Sequence, residues 1–251
     1  MKKQVLLLLA LVLSTFAEKP NIILIYVDDM GYGDASCLNP KAKFKTPNID
    51  RIAKEGMTFT DGHSSDTVCT PSRYSLLTGR YSWRTTLKRG VMGAEGTCLI
   101  TNGRMTMASL LSDNGYTTAM VGKWHLGMDF PGTKGNRDWK QPVKDMPLDK
   151  GFDYFWGIPA SINYGVLAWF EGRHAKVPPT FFTSKKPSKI AMADYRIMPP
   201  YQKTPKEAPE PEESGRRKMS LKGKGLEVAN DFIDIECLDR FTTQSLKWLE
   251  G

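Results

Sequence analysis

Apolar residues along this chain come in short runs separated by polar turns, and the runs alternate between two periods. Asn21 to Val27, NIILIYV, is a continuous β-rich apolar run, the pattern of a strand buried on both faces of a parallel sheet. It ends in DDMGYGD, with Asp28 and Asp29 at its carboxyl end. TPNIDRIAKEG predicts a helix with Thr46 as N-cap, Pro47 at the first helical position, Ile49, Ile52 and Ala53 on one face, and Gly56 as stop. MTFTDGH reads as a further strand. CTPSRYSLLTG predicts a helix that starts at Cys69, with Pro71 in its first turn and Gly79 closing it. TMASLLSDNG predicts another helix, ending at Gly115, and YTTAMVG the strand after it. This alternation argues for an α/β fold with a largely parallel sheet. Ligands of such sheets collect beyond the carboxyl ends of the strands.

The amino terminus changes the picture, because it decides what a cysteine can be. Lys2 and Lys3 form a basic start, Val5 to Leu13 an apolar run, and Thr15-Phe16-Ala17 a small-residue cleavage site. Residues 1–17 therefore read as a secretory signal peptide, and the apolar run is too short to span a bilayer. The expected destination is the periplasm or the exterior, with no stable membrane insertion. With 251 residues, 40% of them hydrophobic and 25% charged, the chain can bury a proper core. Cys37, Cys69, Cys98 and Cys237 are too few and scattered for a disulfide scaffold, and no spacing selects a pair.

The formal net charge of +8 invites an anionic partner, but the excess is local. Residues 176–225 hold twelve Lys or Arg against five Asp or Glu in a Pro- and Lys-rich stretch with little apolar periodicity. It reads as a surface loop or insertion, either merely solvated or a basic collar for an anionic substrate. No aromatic-interleaved basic motif and no zinc spacing supports a nucleic-acid partner.

Three polar clusters sit where the predicted strands end. Adjacent carboxylates at Asp28 and Asp29 repel unless a cation or paired donors neutralise them, and such hard oxygens suit Ca²⁺ or Mg²⁺ better than zinc. An ordinary Asp-rich turn is the plainer alternative. In GKWHLG, Lys123 and His125 lie two apart, so in an extended segment both project to one side. The lysine can bind an oxyanion and the histidine can move a proton near neutral pH; the alternative is a solvated turn with Trp124 tucked into the core. Cys69 stands at a helix N-terminus, where the dipole favours a thiolate or a bound anion, and Arg73 follows one turn on along the same face. A buried structural thiol, a nucleophile and a chemically converted cysteine all fit this position. Oxidation in an exported protein weighs against a bare nucleophile.

CTPSR followed by LLTGR resembles the signature of the sulfatases, whose Cys-X-Pro-Ser-Arg motif a formylglycine-generating enzyme converts to formylglycine. PNIILIYVDDMGYGD, TPNIDRIAKEGMTFT, GYTTAMVGKWHLG and PLDKGFDYFWG are similar to arylsulfatase segments in the family's order, over Pro20 to Gly157. Beyond Gly157 the likeness thins and returns only in FTTQSLKWLEG. The resemblance implies an alkaline-phosphatase-like three-layer α/β/α sandwich with a mostly parallel central sheet, incomplete at the C-terminus, with residues 18–251 as the N-terminal part of the catalytic domain.

The resemblance also assigns roles. Cys69, as formylglycine hydrate, would attack the sulfur of an aryl or carbohydrate sulfate, and His125 would help deprotonate the remaining hydroxyl so that sulfate leaves. Asp28 and Asp29 would hold Ca²⁺ together with the oxygens of the modified Cys69. Arg73 would steady the hydrate, and Lys123 would bridge it to the sulfate. The family's leaving-group histidine, an Asp-Asn metal pair and a second lysine have no counterpart here, since the flanks of His174 differ. That implies an N-terminal half with weak activity or none. Phosphonate or phosphate monoester hydrolysis within the same superfamily is one alternative, and a non-catalytic remnant holding sulfated glycans through its basic segment is another. The substrate-selecting loops are expected at Trp139 to Lys150, at Asn163 to Lys176 and in the basic segment.

Overall fold

The computed structural model describes residues 19–183 and 225–251. Two compact units divide the chain, Met1–Gly62 and His63–Gly251. The expected signal peptide, residues 1–17, lies outside the described residues.

The first unit departs from expectation. Asn21 to Val27 forms no strand, and its apolar side chains from Ile22 to Val27 are between 40% and 73% exposed. A strand is held by ladder partners at its edges and by cover on its faces. Among the described residues this run joins no sheet. MTFTDGH likewise forms no strand, with Met57 and Phe59 exposed.

The helix predicted between them is present as α1 (Pro47–Glu55), with Pro47 in its first turn and the Gly56 N–H closing it on the Ile52 carbonyl at 2.9 Å. Its N-terminus is organised by Asp50. That carboxylate accepts from the Ser36 hydroxyl at 2.6 Å, the Thr46 hydroxyl at 2.8 Å and the Cys37 amide at 2.9 Å. The Ser36 and Thr46 hydroxyls, in that order, hold the Asp50 carboxyl below its usual range.

The second unit carries the core. Its first helix, α2 (Cys69–Thr78), ends as predicted on Gly79, whose left-handed backbone (φ 62°) lets its N–H reach the Ser75 carbonyl. The next, α3 (Met107–Asp113), starts from Thr106, whose hydroxyl accepts from the Ser109 amide at 3.0 Å while the Ser109 hydroxyl takes the Thr106 amide at 2.9 Å. Strand β1 (Ala119–Lys123) follows.

A short hairpin comes next, β2 (Gly132–Thr133) with β3 (Asn136–Arg137), then β4 (Tyr154–Ile158). β4 runs parallel to β1, from Ala119 opposite Tyr154 to Lys123 opposite Ile158. Gly157 faces Gly122 so closely that a Cβ there would run into the Gly122 carbonyl.

Strands β5 (Val166–Leu167), β6 (Phe170–Glu171) and β7 (His174–Ala175) come from the stretch expected to be a variable loop. β6 and β7 extend the β1–β4 sheet antiparallel, while β5 lies parallel to β9 (Leu226–Ala229) in a second sheet closed by β8 (Pro179–Thr183). The architecture is thus α/β with mixed sheets, the parallel pairs being β1–β4 and β5–β9. The basic segment starts as strand β8; its residues 184–224 lie outside the described residues.

Aromatic packing shows why 163–176 is not a loop. Trp169 stacks on Trp156 at 5.2 Å and on Phe232 at 4.8 Å, and Phe241 of α4 (Cys237–Glu250) meets both indoles edge-on. Burying each such ring contributes roughly 1.5–3 kcal/mol. Trp139 to Lys150 is also partly core, with Val143, Met146 and Lys150 buried. The Lys150 ammonium reaches Asp145 at 2.6 Å and Asn102 at 2.8 Å, and Asp145 takes the Cys98 amide at 2.7 Å. A second buried pair joins Arg137 of β3 to Glu227 of β9 at 2.8 Å. The first network ties loops to one another and the second ties two sheets together, and no sequence motif announced either.

Candidate active site

Cys69 is the first residue of α2. Val68 before it is extended, so the chain turns sharply into the helix at the cysteine. Cys69 is half-buried, while Thr70, Pro71 and Ser72 behind it are buried. The Ser72 hydroxyl donates to the Cys69 carbonyl at 3.0 Å, tightening this turn.

Two side chains of α2 tie it to the segment leaving β1. Arg73 donates from Nη1 to the Lys123 carbonyl at 2.5 Å, and the Thr70 hydroxyl donates to the His125 carbonyl at 2.9 Å. The same hydroxyl accepts the Met92 amide at 3.2 Å. One buried oxygen therefore pins three segments together. These bonds hold α2, which bears Cys69 and Arg73, against the backbone of Lys123 and His125.

Lys123 closes β1, but the turn after it is not extended. His125 has φ 60°, in the left-handed region, so strand alternation does not place it beside Lys123. The correction has a physical cause. The Trp124 and His125 amides continue the ladder onto Ile158 and Pro159 at 3.0 and 2.8 Å, while the Trp124 indole turns inward and donates to the Gly127 carbonyl at 2.9 Å. Trp124 is in the core, as the plainer reading of this motif had it, yet His125 is buried with it. Its Nε2 lies 2.9 Å from the Met92 carbonyl, and its ring sits 5.2 Å from that of Tyr164. A carbonyl only accepts, so Nε2 carries the proton and Nδ1 is the basic atom of the neutral ring.

Thr70, the Met92 carbonyl and Tyr164 escaped the sequence reading. Thr70 stood in full view inside CTPSR but carries no charge or titratable group. A backbone carbonyl leaves no signal at all.

Asp28 and Asp29 belong to the first unit and are exposed, with Asp29 at φ 59°. The Gly31 amide just after them donates to Asp34 at 2.7 Å. Among the described residues no group of three or more His, Cys, Asp or Glu side chains is placed to hold a metal. The two carboxylates fit Ca²⁺ in kind, as hard oxygen donors, and supply only part of its usual six to eight ligands.

All four cysteines are free thiols. Burial pushes Cys98 and Cys237 up to about 12, which makes them inert beside the half-buried Cys69.

The chain is similar to known proteins. The Sulfatase family model matches residues 20–190. An N-acetylgalactosamine-6-O-sulfatase of Bacteroides thetaiotaomicron is 40% identical over 158 residues, 63% of this chain and 30% of that protein. Human arylsulfatase A is 39% identical over 149 residues, covering 59% and 27%. A solved structure from work on glycosaminoglycan metabolism by Bacteroides thetaiotaomicron superposes with a TM-score of 0.58 at 38% identity, covering 65% of this chain and 33% of that one. The chain spans about a third or less of the length of these relatives. Its fold is the alkaline-phosphatase-like α/β fold of its structural neighbours, and the chain belongs to the sulfatase family.

Proposed function

We propose that the protein hydrolyses a sulfate ester of an aryl or carbohydrate alcohol, with Cys69 converted to formylglycine as its reactive group. One observation carries the reading: the helix start that bears Cys69 is bound through Thr70 and Arg73 to the turn that bears Lys123 and His125. When present, the formylglycine hydrate supplies one hydroxyl that attacks sulfur and a second whose deprotonation releases sulfate.

The chain's own residues hold and orient. Arg73, fixed by its bond to the Lys123 carbonyl, offers a guanidinium that favours oxyanions. The N-terminus of α2 adds its own preference for negative charge. Lys123 offers an ammonium to the sulfate. His125, with its Nε2 proton held on the Met92 carbonyl, presents Nδ1 as the proton acceptor. Asp28 and Asp29 would hold Ca²⁺, whose chemistry would be to neutralise oxyanion charge. Export by residues 1–17 would bring the enzyme to sulfated substrates outside the cytoplasm.

The test is mass spectrometry of the tryptic peptide containing Cys69, after expression with a formylglycine-generating enzyme. Conversion lowers the mass by about 18 Da, a covalent change readable without turnover. A thiol retained under conditions that convert a control sulfatase would sink the proposal.

A further inference from the structure

At the far end of α2 from Cys69 lies a surface the proposed reaction does not use. No acidic residue occurs between Asp66 and Glu95, while Arg80, Arg84, Lys88 and Arg89 fall within ten positions of one another with Tyr81 and Trp83 between them, which corrects the expectation of no aromatic-interleaved basic motif. The turn that follows Gly79 is a short 3-10 helix, Ser82–Arg84, and buried Ser82 anchors it by accepting the Thr85 amide at 2.8 Å and the Thr85 hydroxyl at 2.6 Å.

On this anchored turn Tyr81 and Trp83 project outward, 53% and 57% exposed, and stack on each other with centroids 5.6 Å apart and planes 17° from parallel. Two cations are fixed on the same turn. The Lys88 ammonium donates to the Trp83 carbonyl at 3.0 Å, and Arg80 donates to the Arg84 carbonyl at 3.2 Å. Among the described residues none of the four cations pairs with a carboxylate. Two large rings exposed to water in a segment of uncompensated cations cost solvation and repulsion.

We infer that Tyr81, Trp83, Arg84, Lys88 and Arg89 form a non-catalytic binding surface for a sulfated polysaccharide. The apolar faces of sugar rings lie on the stacked aromatics, and the sulfates pair with the guanidinium and ammonium groups. α2 spans ten residues, so this surface stands about 15 Å from Cys69 along the helix. A polymer held here keeps its other sulfates near the helix start. The choice of a sulfated chain over a nucleic acid rests on the proposed sulfate ester chemistry; the surface itself rests on geometry and charge.

The experiment measures binding of the full chain to heparin, with desulfated heparin and single-stranded DNA of matched charge as competitors, over a salt series. Two variants are compared, R84Q/K88Q/R89Q and Y81A/W83A, each checked for an unchanged far-ultraviolet circular dichroism spectrum and melting curve. The triple variant is expected to lose at least about tenfold in affinity at low salt, with a salt slope shallower by about three. The aromatic double variant is expected to weaken binding at every salt concentration while leaving the slope unchanged. Heparin affinity unchanged in either variant would overturn the assignment, as would equal competition by the DNA or by desulfated heparin. No turnover is read, so failure here leaves the Cys69 proposal standing, and an unmodified Cys69 leaves this surface standing.

Discussion

Helices α1 and α2 invert what their sequences suggest about burial. Helix α1 has a well-marked apolar stripe in Ile49 and Ile52, with Asp50 in its first turn and Lys54 in its last, yet it buries no residue, and Ile52 is 61% exposed. Helix α2 has almost no stripe, yet Thr70, Pro71, Ser72 and Tyr74 are buried. An apolar stripe states a demand for cover, and cover must come from elsewhere in the chain. Helix α2 obtains it because its polar atoms have exact partners: Thr70 on His125 and Met92, Arg73 on Lys123. The helix that carries the candidate chemistry is thus held by these hydrogen bonds together with Tyr74 and Leu77, which pack on the core.

The largest expected effect tests the side of the comparison that has a core. Trp169→Ala removes a ring packed against Trp156, Phe232 and Phe241, and should cost about 3–5 kcal/mol in urea unfolding followed by near-ultraviolet circular dichroism. Ile52→Ala on α1 should stay within about 0.5 kcal/mol, since it deletes methyl groups already in water. Comparable losses from both would mean that the stripe of α1 is covered, and the contrast would fail.

A smaller effect is expected from the polar lock on α2. Thr70→Val keeps the shape but leaves the buried His125 carbonyl without this donor and the Met92 amide without its acceptor, at about 1–3 kcal/mol. Thr70→Ser restores the hydroxyl and should recover most of that. Because Met92 also holds the His125 ring, Thr70→Val should shift the His125 ring nitrogen resonances, while Trp169→Ala, acting through packing, should not. Equal stability of the Val and Ser variants would show that apolar packing holds α2 after all.

Helix boundaries were legible because caps are local. Pro47, Gly56 and Gly79 each act within four residues, and the structure places helix ends where they predict. The strands at Asn21 to Val27 and Met57 to His63 were misread for the converse reason: a β-rich run fixes a preference, while a strand needs edges supplied by residues far away in sequence. The same non-locality hid the core of 163–176, where two-residue strands leave no alternating pattern and the buried apolar run Val166 to Phe170 is the one local sign. Four of the candidate site residues were legible because each is charged, titratable or a thiol. Thr70 was passed over, although it makes the joint between them.

The smallest effect concerns two carboxylates, one in each unit, held low by different donors. Asp149 is lowered chiefly by Arg173, which donates to it at 2.6 and 2.9 Å, and Asp50 by the neutral hydroxyls of Ser36 and Thr46. A carboxyl whose folded value lies below its unfolded one adds stability above about pH 4, lost as pH falls through the folded value. Both should therefore make their units more labile in acid, and for the partly exposed Asp149 pair the contribution stays below about 1 kcal/mol. Salt separates them. Raising ionic strength from about 0.05 M to about 1 M shortens the screening length to a few ångströms, which weakens the Arg173 pair and leaves hydroxyl donation nearly untouched. Carboxyl carbon titrations by NMR should show Asp149 rising toward its ordinary value in high salt while Asp50 stays low. If Asp50 rises as far as Asp149, then a cation holds it too, and the hydroxyls at the start of α1 are spectators.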